Sequence, residues 1–211
     1  MRYDKDLKEL SLNELFLKNA YENSCYFCGA EGIIITVLRR PHQLVPYGVI
    51  CREDDFEIIR NTKILSLEIA GENFVSLTLP AVSDISETTA SFVRKKWKET
   101  CGDFAPHFEK ILREKTYNKL VGLGPGLTPA GDDILVGLLA ARALLGKERD
   151  FNIDYSRTTP LSGHFIKSAM AGKFSDNVIK FIESGDLSIL KFGATSGVAT
   201  ALGILEGLRE N

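Results

Sequence analysis

The chain has 211 residues, 44% of them hydrophobic and 26% charged, with a formal net charge of -2. That balance makes a globular rather than a disordered chain the expectation and gives no electrostatic reason to expect nucleic acid or an anionic membrane, which leaves a small molecule or another protein as the expected partner. The length accommodates one large domain, or a small domain joined to a medium one. The opening Met1-Arg-Tyr-Asp-Lys-Asp lacks the basic flank and apolar stretch of a secretory signal, so the expected location is the cytoplasm. The most apolar run, Ile134 to Gly146, falls short of the roughly 20 residues that cross a bilayer and reads as a core helix.

In chain order, Ser11-Leu-Asn-Glu14 has the spacing of a capping box and predicts a short helix from about Leu12 to Tyr21. Gly32 to Leu38, Gly48 to Cys51, Lys63 to Ile69 and Phe74 to Leu79 are rich in Ile, Val, Thr and Leu and read as strands. Their short connections, above all Gly71-Glu-Asn73 between the last two, favour antiparallel hairpins. Beyond Pro80 the spacing becomes helical. Asp84-Ile-Ser-Glu87 offers a second capping box, and helices are expected over about 84–99, 104–118, 131–145, 161–171, 174–184 and 196–208. The expected fold class is therefore α+β, with an antiparallel β-rich region over 1–82 and a helical region over 83–211.

Cys25-Tyr-Phe-Cys28 has the gap of a zinc knuckle, but Cys51 and Cys101 form no second pair and no histidine pair follows at ligand spacing. A redox role is weaker, because the pair precedes a strand instead of opening a helix after one. Buried or incidental thiols are the expectation, with no metal and no cofactor.

The residues that point to chemistry lie in Val121-Gly-Leu-Gly-Pro-Gly-Leu-Thr-Pro-Ala-Gly-Asp-Asp133, four glycines and two prolines in thirteen residues, leading into a buried helix. Glycines let a backbone approach a ligand closely, and the unpaired amides and dipole of a helix start make an anion site, so phosphate or carboxylate is the natural guest. The plainer reading has equal weight: Thr128 caps the helix, Pro129 occupies its first turn, and Asp132 and Asp133 complement the dipole. The two aspartates also fit a hydrated cation or a polar substrate, one facing the site and the other turned aside. As exposed helix-start charges, either should be replaceable by asparagine at a cost of only about 0.3–1 kcal/mol. A P-loop ending and a dinucleotide fingerprint are both absent, which argues against nucleotide binding of those types and makes a kinase or ATPase the least favoured reading, one that absence of ATP binding would dispose of.

A second glycine-framed element, Gly193-Ala-Thr-Ser-Gly197, precedes the apolar run Val198 to Leu208. Thr195 and Ser196 either cap that helix, which is the commoner role, or help to close an anion pocket with the first turn. Between the two, Thr158-Thr-Pro-Leu-Ser162 supplies three more hydroxyls, and His164 is a proton carrier or, more commonly, a structural histidine. Arg157 and Lys173 are the nearest basic residues in sequence, of a kind usually solvated.

The first motif, followed by Leu135 and Gly137, together with Gly-Ala-Thr-Ser-Gly near the end, resembles a bacterial family whose named member is a subunit of oxamate carbamoyltransferase. The resemblance runs from about Leu120 to Leu208; Thr158, Thr159 and Ser162 fit a weaker part of the pattern. It implies a role in anaerobic allantoin or purine breakdown, in which oxalurate and phosphate become oxamate and carbamoyl phosphate through several subunits acting together. The positions that match are Gly124, Gly126, Thr128, Asp132 and Asp133, then Thr195, Ser196 and Gly197.

Together these readings give a subunit of a carbamoyl-transfer enzyme. Asp132 and Asp133 are its candidate catalytic residues, and Gly124, Gly126, Leu127, Thr128, Thr195, Ser196 and Gly197 its candidate substrate-binding residues. Phosphate, carbamoyl phosphate, oxamate or oxalurate is the expected small partner, phosphate entering as co-substrate, with other enzyme subunits as protein partners. The alternative is a non-catalytic, anion-binding assembly or regulatory subunit.

Overall fold

The computed structural model describes residues 1–29, 32–69, 73–81, 83 and 85–210. The chain forms two compact units, Met1–Leu77 and Thr78–Asn211.

The first unit is a seven-stranded mixed sheet. Its strands are β1 (Arg2–Asp4), β2 (Leu15–Ala20), β3 (Ser24–Cys28), β4 (Ile34–Arg39), β5 (Gly48–Cys51), β6 (Ile64–Leu65) and β7 (Phe74–Val75), in the order β6-β2-β3-β4-β5-β1-β7. A helix, α1 (Glu53–Arg60), buries Phe56 and Ile59 in the core with Leu15, Phe27, Ile35, Val37 and Val49. Asp4 is buried and accepts the Tyr47 N–H at 2.7 Å, tying β1 to the loop before β5.

Four expectations need correction here. The helix over 12–21 is instead β2, entered through Glu14 at φ 52, where Leu15 is buried and Phe16 pairs with both Cys28 and Ile64. Strand pairing on both sides outweighs the local capping signal. The sheet is not purely antiparallel, because β4 and β5 are parallel, as are β1 and β7. The loop 40–47 makes the first of these possible: eight residues reach roughly 26 Å when extended, enough to return along a six-residue strand of about 20 Å. The two strands expected as a hairpin, β6 and β7, shrink to two residues each and sit on opposite edges of the sheet; of the turn proposed between them, Gly71 and Glu72 lie outside the described residues. Finally, Cys25 and Cys28 precede a strand, β4, as expected, but themselves lie within β3, a strand the sequence reading did not include. Residues three apart on a strand face opposite sides, so the two thiols do not converge. Burial pushes the Cys25 thiol up to about 12 and the Cys51 thiol up to about 11.

The second unit is helical: α2 (Glu87–Cys101), α3 (Ala105–Glu114), α4 (Ala130–Leu144), α5 (Pro160–Met170), α6 (Asp176–Ser184) and α7 (Ser196–Leu208). Asp84 lies outside the described residues; α2 is capped by Ser86, whose Oγ accepts the Thr89 N–H at 3.1 Å. The helix expected over 104–118 stops at Glu114, because Lys115 turns to φ 54 and leads into a 3-10 turn at Tyr117–Leu120. Trp97 of α2 meets Phe108 of α3 edge to face at 5.3 Å.

At the centre α4 and α7 run side by side in the same direction. A Cβ on Gly137 would lie 2.1 Å from the Thr200 carbonyl oxygen, and one on Gly203 would lie 2.1 Å from that of Ile134. Only glycine permits this backbone-to-backbone approach, and it brings the N-terminal ends of both helices together. No helix among the described residues is long and apolar enough to cross a membrane.

Candidate functional site

The glycine-rich turn runs from the end of the 3-10 turn at Leu120 to the start of α4. Gly122 has φ 70, and a Cβ there would lie 1.9 Å from the Arg157 carbonyl oxygen, so the turn is pressed against the segment leading to α5. Gly124 and Gly126, at φ 116 and 98, carry the chain through an exposed tip that includes Leu127. Thr159 Oγ1 donates to the Leu127 carbonyl at 2.5 Å and accepts the Ser162 N–H at 3.0 Å, so one hydroxyl both caps α5 and holds the tip.

The two aspartates are not alike. Asp132 is 1% exposed. Its Oδ1 accepts the Gly122 N–H at 2.8 Å, and its Oδ2 accepts the hydroxyls of Ser162, at 2.7 Å, and Thr158. This carboxylate clamps the turn, α4 and the start of α5 together, and the expectation of an exposed helix-start charge fails for it. The hydroxyl segment 158–162, a general reserve of polar groups in the sequence, supplies the clamp. Its signal was the cluster of three hydroxyls beside a proline-started helix, with nothing in the sequence to name Asp132 as their acceptor.

Asp133 faces the other way. Its Oδ2 is shielded from solvent and has no hydrogen-bond partner among the described residues. Burial raises its carboxyl well above the ordinary value of 3.8, the Asp132 charge adds to the rise, and the Ser196 and Thr128 hydroxyls oppose it.

Those two hydroxyls also decide the capping question. Pro129, not Thr128, occupies the N-cap of α4, and no side chain caps that helix. Thr195 occupies the N-cap of α7 without a side-chain bond, and Ser196 is already its first helical residue. Neither motif uses its hydroxyl as the plainer reading expected. Thr128 Oγ1 and Ser196 Oγ instead lie 2.9 Å apart and join the starts of α4 and α7. Gly197 makes this possible, since a Cβ there would lie 1.8 Å from the Ile189 carbonyl oxygen.

The geometry therefore collects Thr128, Asp133, Ser196 and Gly197 at two converging helix starts, with Asp132 behind them and Gly124, Gly126 and Leu127 at the exposed tip. A backbone dipole favours negative charge at each of those starts. The other expected groups lie apart from this cluster. Arg157 Nη1 donates to the Asn118 carbonyl at 3.1 Å, and Lys173 follows the C-terminal end of α5, roughly 16 Å of helix away from its Thr159 cap. His164 is half-buried on α5 and is not among the groups that act on Asp133. Among the described residues no group of three or more His, Cys, Asp or Glu is placed to hold a metal ion.

Residues 120–208 match the family model of the oxamate carbamoyltransferase subunit AllH. The matched stretch begins at the 3-10 turn before the glycine-rich tip and ends with α7, so it contains the whole cluster. The matched stretch thus covers the central helix pair and the residues at its N-terminal ends. No curated protein and no solved structure matches the chain.

Proposed function

We propose that the protein is a subunit of an oxamate carbamoyltransferase-like enzyme, binding an anionic substrate where α4 and α7 begin. One observation carries this reading: the shielded Oδ2 of Asp133, which has no hydrogen-bond partner among the described residues, lies on a carboxyl beside the Thr128 and Ser196 hydroxyls, at two helix starts whose side chains do not cap them. The match to the subunit family supports the reaction class.

In the forward reaction a phosphate oxygen attacks the carbamoyl carbon of oxalurate. The bond from that carbon to the oxamate nitrogen breaks, and the proton carried by phosphate ends on the oxamate nitrogen. Fixed backbone donors and the two hydroxyls stabilise charge on the carbonyl and phosphate oxygens without reorganising. Asp133, whose carboxyl pKa burial raises well above the ordinary value, hydrogen-bonds the carbamoyl group and relays that proton, giving its own to the leaving nitrogen and taking up the one that phosphate carried. Asp132 positions the turn through its three bonds.

A second reading has its own observation. The groups acting on Asp133 are Ser196, Asp132 and Thr128, with no cation among them, although two anions meet in the reaction. A carboxyl on which no cation acts among the described residues fits a non-catalytic, anion-binding assembly or regulatory subunit, active only when partner chains supply the charge.

Calorimetric titration of the purified chain with phosphate, carbamoyl phosphate, oxamate and ATP separates the outcomes. Saturable binding of carbamoyl phosphate or oxamate, weakened in Ser196→Ala, supports the site. Turnover by the isolated chain defeats the regulatory reading, and no binding of any carbamoyl or oxamate ligand, alone or with partner subunits, defeats the site itself.

A further inference from the structure

A cavity lies at the other end of the helical unit from the glycine-framed helix starts. It has a volume of about 420 Å³ and lies between α2, α3 and the C-terminal half of α7. Trp97, Leu112 and Leu202 give it an apolar wall. Its charged lining is uneven. Glu206 is already matched by Arg94 at 3.2 Å and Arg209 at 3.5 Å, and Glu210 by Arg142 at 2.8 Å with the Tyr117 hydroxyl also donating to it. Lys98, Arg113 and Lys115 line the same cavity with no side-chain partner among the described residues, against one unpaired carboxylate, Glu109.

Two features give the wall a preference. The indole N–H of Trp97 is buried with no hydrogen-bond partner among the described residues, and the side chain forms part of the lining. Lys115 is held at φ 54 as the C-cap of α3, which fixes where its side chain leaves the backbone. A cavity of this size with an apolar wall and an excess of unpaired cations suits a small organic anion, and is poorly matched to a neutral or cationic molecule.

We propose that this cavity is a second binding site, separate from the glycine-framed one, for a small anion with a flat apolar body, such as an aryl carboxylate or a nucleoside monophosphate. The ring lies toward Trp97, Leu112 and Leu202 and the anionic group toward Lys98, Arg113 and Lys115.

Trp97 is the sole tryptophan of the chain, so its emission reports on this cavity directly. The test is a fluorescence titration of the full chain with adenosine monophosphate, benzoate, adenosine and inorganic phosphate. The expected result is a saturable change with adenosine monophosphate or benzoate, with adenosine and phosphate each binding at least tenfold more weakly. The double variant Lys98→Glu with Arg113→Glu, both exposed positions, should raise the dissociation constant tenfold or more, and Ser196→Ala should leave it unchanged. The proposal is overturned by the absence of a saturable response to both charged ring compounds, by equal affinity in the charge-reversed variant, or by loss of the response in Ser196→Ala.

Discussion

Thr128 Oγ1 and Ser196 Oγ, 68 residues apart in sequence, lie 2.9 Å from each other and join the first turns of α4 and α7. A neutral hydroxyl pair of this kind contributes about 1 kcal/mol. Removing either hydroxyl should therefore leave the fold standing. Thr128→Ala and Ser196→Ala are each expected to shift the urea midpoint by the equivalent of about 1 kcal/mol, while weakening oxamate or carbamoyl phosphate binding tenfold or more. A stability loss with unchanged affinity in both variants would return the pair to a purely structural role.

Asp132 behaves differently because its carboxylate is spent inside the protein. Asp132→Ala leaves the Gly122 amide and the Ser162 and Thr158 hydroxyls without their acceptor, and is expected to cost about 3 kcal/mol or more. Asp132→Asn keeps one acceptor oxygen and should cost about 1–2 kcal/mol, more than an exposed helix-start charge would. Denaturant unfolding of both variants checks the order; equal and negligible losses would mean that the clamp does not hold the turn.

The helical unit was legible in the sequence because its signals are local. Glycine and proline punctuate each helix, and the apolar spacing persists across α4 and α7, so their limits of 130–144 and 196–208 fall within a residue of those expected. The sheet was less legible because its partners are not local. Leu15 to Ala20 has a capping-box spacing just before it, and only pairing with β3 and β6 makes it a strand. The same holds at the site. Both glycine-framed motifs stand out in sequence, but the division of labour between Asp132 and Asp133 depends on Thr158 and Ser162, which reach Asp132 from 26 and 30 residues away.

The close crossing of α4 and α7 depends on Gly137 and Gly203. A Cβ at either would lie 2.1 Å from a backbone carbonyl oxygen, which cannot rotate aside as a side chain can. Gly137→Ala and Gly203→Ala are each expected to cost about 3 kcal/mol, by forcing the helices apart. Gly126→Ala is the instructive contrast, since no atom lies within 4 Å of its Cβ position and only its φ of 98 resists the change. Thermal unfolding should place the two helix variants well below Gly126→Ala, and the reverse order would place the helix crossing elsewhere.

Asp133 gives the helical unit a pH dependence of defined sign. Its folded-state carboxyl lies well above the ordinary 3.8, so between that value and its folded pKa the native state holds a proton that the unfolded state has lost. The stabilising contribution is full below about pH 3.8 and declines as pH rises through the folded pKa, the opposite of a salt-bridged aspartate. Asp133→Asn removes the titration while keeping the shape. Urea midpoints measured from pH 4 to pH 9 should therefore fall more steeply for the natural chain than for Asp133→Asn. Oxamate, whose carboxylate stays ionised over this range, should follow the same course. Its binding to the natural chain weakens as Asp133 acquires charge, whereas its affinity for Asp133→Asn stays flat. Parallel pH profiles for the two proteins, in both stability and oxamate affinity, would show that Asp133 does not titrate in this window and would remove it as the proton carrier.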